Sequence, residues 1–321
     1  MIGIVYHSFL TGNWKEVVLG QLRRLKESGL YDKSDIIWFT VNLNGNDESV
    51  FDEIAKEYPK ANIEYNVDNH AEYPGIRKVK ELGDSHDDLK ILYFHSKGVS
   101  NDYVVSHIKT RSETKHKNVN SWKECLEYFV IDKWEDCIEK LNEYDNVGVT
   151  CNSNWFWGNF WWSQSSHIKK CSEVGIWGRW DYEAWLNRGV DSPKNYEYYK
   201  FTYNPYLTYF EPDWYKNPLK LKGSKITLHK ALYGTAEFQI DEGYASTELG
   251  ITTDVTDIIN KKLESEDFKR LYFRVDNDTM GGDPIYGYKK VLTIDFSLDI
   301  EPNKIYTVGI GEDQQLDLNF N

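Results

Sequence analysis

Patterned cysteines are missing from this chain. Its four, Cys125, Cys137, Cys151 and Cys171, show no Cys-x-x-Cys pair and no Cys/His spacing of the kind a zinc site uses, which leaves a zinc-stapled or disulfide-framed fold without its scaffold. We read them as reduced thiols. No apolar run approaches the ~20 residues that cross a bilayer, and the opening MIGIVYHSFL has no basic segment ahead of an apolar one, so the sequence reading is a cytoplasmic chain without a transmembrane segment. An excess of positive charge is lacking as well. Lys and Arg number 38 against 51 Asp and Glu, a net charge of -13, and a nucleic-acid partner or an anionic lipid surface is disfavoured because both draw on clustered cations. Internal repeats and low-complexity segments are also missing.

Aromatic side chains are what the chain has in plenty. They make up 15% of it, with 12 Trp and 23 Tyr, more flat amphipathic rings than a core requires, and such rings serve sugars and nucleobases as platforms. With 40% hydrophobic and 28% charged residues over 321 positions, the chain suits one large domain and one small one. Two local basic clusters, residues 77–80 and 109–117, are solvated helix faces or ligands for a diphosphate.

In the first part, short apolar strands alternate with amphipathic helices. Strands are expected at 2–6, 35–41, 61–65, 90–94 and 147–150, and helices at 14–28, 50–57, 75–82 and 121–142. Alternation of this kind implies a mostly parallel sheet with helices on its faces. From about residue 226 the texture turns to short strands, at 226–232, 238–240, 271–275, 291–296, 305–310 and 316–320, with one helix at 255–263, which reads as a small β-sandwich. Pro218 and Gly223 mark the expected boundary, giving domains 1–222 and 223–321.

Three segments, IGIVYHSFLTGNW, ILYFHSKGVS and WGNFWWSQSSHI followed by RWDYEAWL, together resemble a group of GT-A-like glycosyltransferases found in viral, bacterial and algal sequences. The resemblance covers residues 2 to about 207. It implies a Rossmann-like α/β domain, a nucleoside-diphosphate sugar donor, a UDP-sugar by preference, held over the carboxyl edge of the sheet, and a glycan or glycolipid acceptor. Most GT-A enzymes end the strand corresponding to residues 91–94 in Asp-x-Asp, which holds a divalent cation. This chain has His95-Ser96-Lys97 there. Lys97 can meet a diphosphate as a point charge and His95 can donate to it; the site is expected to hold no metal of its own, and a manganese or magnesium ion arriving with the donor stays open.

Tyr6, His7 and Ser8 end the first strand and are assigned to the nucleoside. Arg77, after Tyr73-Pro74, and Arg111 are phosphate or base ligands, or ordinary surface arginines. In the segment at 155–162, Asn159, Trp161 and Trp162 are the expected acceptor contacts, or else a packing seam. Glu183 and then Asp181 are the candidates for the base that takes the acceptor's proton, since both fall in what reads as the start of a helix; acids there also favour the helix dipole without any catalysis. Asp276, Asp278 and Asp283 lie in a Gly-rich turn that lacks a full calcium loop. The rival to an enzyme is a glycan-binding protein whose transferase domain has lost its activity.

Overall fold

A computed structural model describes residues 1–99, 109–152, 155–235 and 251–321. The chain divides into two compact units, Met1–His116 with Lys123–Lys200, and Lys117–Trp122 with Phe201–Asn321.

The first unit is a mixed α/β structure. Strands β1 (Ile2–Phe9), β2 (Ile36–Asn42), β3 (Ala61–Asn66) and β4 (Lys90–His95) are joined through helices α1 (Trp14–Glu27), α2 (Leu30–Lys33), α3 (Ser49–Ala55) and α4 (Tyr73–Ser85). After α5 (Lys109–Glu127) and α6 (Trp134–Lys140) come β5 (Asn146–Gly148), the small hairpin β6 (Cys151–Asn152) and β7 (Trp155–Phe156), then β8 (Trp161–Gln164), α7 (Ser165–Ile168), α8 (Arg179–Glu183) and β9 (Asn195–Glu197). The main sheet runs β3-β2-β1-β4-β8-β5-β9. All neighbours pair in parallel except β8, which is antiparallel to both β4 and β5. Helices on both faces bury β1 and β4 throughout, hence their near-continuous apolar text.

Helix α1 buries Val17, Val18, Gln21, Leu22 and Leu25 at the three-and-four spacing of one helical stripe. Helix α4 starts on Tyr73-Pro74, where proline's fixed φ suits a first turn. Two of its glycines permit close approach. A Cβ on Gly75 would lie 2.8 Å from His7 Cβ and from Tyr93 Cε2, and one on Gly83 would lie 2.2 Å from Ile168 Cγ2. The expected helix at 121–142 is broken: α5 gives way to a π-helical turn, Tyr128–Asp132, before α6 begins.

In the second unit a four-stranded antiparallel sheet is ordered β11 (Thr252–Asp254), β10 (Ile226–Gly234), β13 (Val291–Leu298), β14 (Glu301–Gly311), and β12 (Arg270–Arg274) pairs with β15 (Gln315–Asn319) in a second antiparallel sheet. Short helices α9 (Pro212–Lys216) and α10 (Pro218–Leu221) precede the strands, and α11 (Thr256–Ser265) buries Ile259 and Leu263. The strand expected at 238–240 lies outside the described residues. Two acids of the Gly-rich turn are engaged internally: Asp276 accepts from the Thr279 amide at 2.8 Å, and Asp283 lies 3.0 Å from the buried ammonium of Lys290.

Candidate functional site

In open α/β sheets the carboxyl edge of the parallel strands is where ligands are bound. Here β1 and β4 reach that edge together, with His7 and His95 as partners in the last rung of their pairing. Their backbones are tied further on: Ser96 N donates to His7 O at 2.9 Å, and the Phe9 amide donates to Ser96 Oγ at 2.9 Å. Beyond them Lys97 N turns back to His95 O at 2.7 Å, and Gly98 takes φ 92°, a left-handed conformation that glycine adopts without Cβ strain.

A buried carboxylate sits above this rung. Glu72, immediately before α4, makes no side-chain capping bond to its own helix; its Oε2 accepts from Tyr93 Oη at 2.8 Å and from Asn159 Nδ2 at 2.6 Å. Its Oε1 lies 3.8 Å from His95 Nε2. The His95 Nε2 is also 3.0 Å from the Gly158 carbonyl oxygen. Burial alone would raise the Glu72 carboxyl, yet it is held below the usual carboxylate value by His95, Tyr93, His7 and Asn159. His7 is fully buried, within 3.0 Å of the Thr40 hydroxyl, and burial pushes its imidazole down to about 4 against the pull of Glu72. Of the two imidazoles, His95 is the one whose ring nitrogen faces Glu72 Oε1.

The candidate residues fall into distinct places. Tyr6 points to the other face of the sheet, where its hydroxyl donates to Gln21 Oε1 at 2.8 Å; Gln21 in turn donates to His95 O at 3.1 Å and to Glu127 Oε1 at 2.8 Å. Ser8 is fully buried, its hydroxyl without a partner among the described residues. Tyr6 and Ser8 thus lie beneath the edge. Ser96 and Lys97 are mostly buried in the turn after β4.

Arg77 is shared between Glu64 on β3 and Glu81 on its own helix. Arg111 falls in the first turn of α5, and its side chain lies outside the described residues. Trp161 and Trp162 occupy opposite faces of β8 and both are at most 1% exposed, so neither presents an open ring; Trp161 donates to Asn159 Oδ1 at 2.7 Å and Trp162 to Val130 O at 2.8 Å. Asn159 is thereby clamped from both ends of its amide, in a left-handed conformation with φ 56°.

Glu183 ends α8 rather than starting it, and Asp181 stands in the first turn. Asp181 is paired with Arg188 at 3.4 Å, both side chains well exposed. The Tyr93 phenol is held well above its ordinary value, by burial first, then by Glu72, with a further contribution from Glu183. Glu183 is thus within electrostatic reach of the Glu72 cluster.

Glu72, Tyr93 and Gln21 escape the sequence reading. The faint signal for Glu72 was an acid directly before a Tyr-Pro helix start, where Ser, Thr, Asp or Asn would be the usual cap. Among the described residues no group of three His, Cys, Asp or Glu side chains is placed to hold a metal ion. A groove of about 610 Å³ lined by Asp145, Gln164, Lys170, Asp191 and Lys194 contains none of the residues above. It opens at the amino edge of β4, where Gln164 pairs with Lys90. No described helix is long and apolar enough to cross a membrane.

No protein-family model matches the chain, and no curated protein matches it. Among solved structures it is similar to one described as a crystal structure of 4-diphosphocytidyl-2C-methyl-D-erythritol synthase, at 13% identity and a TM-score of 0.32, over 69% of this chain and 97% of that one. So distant a likeness carries no argument about chemistry; the mixed α/β fold with a mostly parallel sheet stands on the strand pairings themselves.

Proposed function

We propose that the first unit is a GT-A type glycosyltransferase that moves a sugar from a nucleoside diphosphate, a UDP-sugar by preference, to a hydroxyl of a glycan or glycolipid. The observation that carries this reading is the gathering of His7, His95, the Ser96-Lys97-Gly98 turn, Asn159 and the Glu72 carboxylate at the carboxyl ends of β1 and β4, with Glu183 in electrostatic reach. A parallel sheet interrupted by one antiparallel strand next to β4 fits the same reading.

In the direct displacement, the acceptor oxygen bonds to the anomeric carbon as the bond to the diphosphate breaks. Glu183 takes the acceptor's proton, with Asp181 the second candidate, and the departing diphosphate is met by Lys97 and by Arg111. Such catalysis is mostly positioning and charge stabilisation. Arg77, the alternative to Arg111, is engaged by Glu64 and Glu81 and would give up one of them to meet the diphosphate.

The residues at the end of β4 do not suit a divalent cation, which takes several hard oxygen ligands. The turn offers an imidazole, a hydroxyl that already accepts from Phe9, and an ammonium, while Oε2 of Glu72 already receives two donors. No step is therefore routed through a metal.

Thermal stabilisation by a panel of nucleoside diphosphates and their sugars, with manganese and then with chelator, tests the reading. A selective shift that persists in chelator is expected, since a ligand at a hundred times its Kd adds about 2.7 kcal/mol. A panel without any shift moves the conclusion to a glycan-binding protein, a reading favoured by the well-exposed Tyr272, Tyr286 and Tyr288 of the second unit.

A further inference from the structure

A carboxylate as buried as Glu72 survives only when its charge is compensated. Its Oε2 is committed to Tyr93 and Asn159, and its Oε1 faces the imidazole of His95. That leaves it poorly placed to take a proton from an acceptor. One side chain instead links three segments, the start of α4, the end of β4 and the turn before β8, because His95 passes the link on to the Gly158 carbonyl. The backbone on either side of this link is held in left-handed conformations, Ala71 at φ 48° and Asn159 at φ 56°. Strain of that kind persists where surrounding contacts over-determine it, and functional sites are where it tends to be found.

We propose that Glu72 is the positioning residue of this site: its carboxylate attracts the Nε2 edge of the His95 ring, the same edge that meets the Gly158 carbonyl, and so fixes the turn at Lys97-Gly98 against the turn at Gly158-Asn159. The identity of the ligand between those turns, a nucleoside diphosphate, rests on the glycosyl-transfer reading; the Glu72–His95 pair does not. The titratable and charged groups around His95 among the described residues are His7 on β1, Glu72 before α4, Tyr93 on its own strand and Lys97 two residues on, with Glu183 acting on Tyr93 from α8.

The test begins without ligand. In Glu72→Gln the amide oxygen can still accept from Tyr93 and Asn159, while the group facing His95 loses its charge. In histidine-labelled full-length protein, with the His95 signal identified by its loss in His95→Gln, the ring's titration midpoint should fall by about one pH unit or more in Glu72→Gln, the size of effect an opposite charge at this range exerts. An unchanged midpoint overturns the proposal.

Affinity for uridine diphosphate is the second readout. It should drop about tenfold in Glu72→Gln near pH 7.5 and recover at a second pH set below the His95 midpoint measured in that variant, where the ring carries its proton again. An equal loss at both pH values would mean that Glu72 only supports the fold, and the charge role would fall. A parent protein that binds no nucleoside diphosphate refutes the transferase reading and leaves the histidine titration to decide on Glu72. Should Glu72→Gln fail to fold, linkage supplies the reciprocal measurement: the Glu72 carboxyl carbon in His95→Gln should titrate about one unit higher than in the parent, and an unchanged midpoint overturns the proposal equally.

Discussion

His7 couples the site to stability through a single proton. In the unfolded chain its imidazole protonates through the ordinary 6.5, and in the folded protein only through about 4. Between those values the unfolded state binds more protons, so this contribution is intact above pH 6.5 and is lost as the pH falls to about 4, on the order of 3 kcal/mol in all. The lowered Glu72 carboxyl acts in the same direction at lower pH, adding stability that disappears as the pH falls through its folded value. Urea unfolding at several pH values between 4.5 and 7.5 should show this slope, and His7→Asn should flatten it between about 6.5 and 4. Gly75 is a sterically determined neighbour. With 2.8 Å from a Cβ there to both His7 and Tyr93, Gly75→Ala should cost about 1 to 3 kcal/mol, read as a lowered Tm. The pattern HAEYPG shows that a helix begins; it does not show that the acid before it is the one that turns inward. His7, His95 and Asn159 stand out in the sequence because they interrupt apolar text, whereas Glu72 stands in polar text where nothing distinguishes it from solvent-facing neighbours.

Elements with a strong period were legible and short ones were not. The strand text at residues 2–6, 35–41 and 90–94 and the α1 stripe each bury one continuous apolar surface, so pattern and structure agree. Strand β5 overlaps the strand expected at 147–150, whereas β9, with three residues, is too short for any period to register. That β8 runs antiparallel follows from how the chain re-enters the sheet, which spacing along the chain does not encode. The break after α5 has a similar cause. Arg24 on α1 reaches Glu127 at 2.9 Å and Asp132 at 2.6 Å, one at each side of the π-helical turn. A partner on another helix thus bridges the residue before the turn and its last residue, a pairing that the local text, which reads as plain helix, does not show. Glu127 is only 5% exposed and also receives Gln21, which supports the backbone of His95. Arg24→Met leaves that carboxylate without its cation, and we expect a loss of about 2 to 3 kcal/mol, seen in urea as a lower midpoint at unchanged slope. Gln21→Leu removes at one buried position the acceptor of Tyr6 and the donor to His95 O and to Glu127, so it should cost at least about 1 to 3 kcal/mol, read as a lower urea midpoint.

Across the whole molecule, two units with separate cores make the location of a ligand a measurable property. Strands β10, β13 and β14 bury Tyr233, Ile294, Phe296, Val308 and Ile310 in their own unit, while Val5, Ile76, Tyr93, Trp161 and Tyr182 belong to a core cluster of the first. The net charge of -13 works against adventitious capture of polyanions, so a nucleoside diphosphate that binds must find a local arrangement of donors and cations. Hydrogen exchange in saturating uridine diphosphate should then slow amides at 72–77, 93–99 and 156–161, the three segments joined through Glu72, and leave those of 226–234 and 291–311 unchanged. Slowing at 72–77 without 156–161 would place a ligand at the start of α4 alone and remove the acceptor-side turn from the site. Protection of 270–290 by an oligosaccharide, with none anywhere from the nucleotide, would instead assign recognition to the tyrosines of the second unit. The first pattern is expected, because the buried Glu72 carboxylate, His7 and His95 lie together at the ends of β1 and β4 with the left-handed Ala71 and Asn159 beside them.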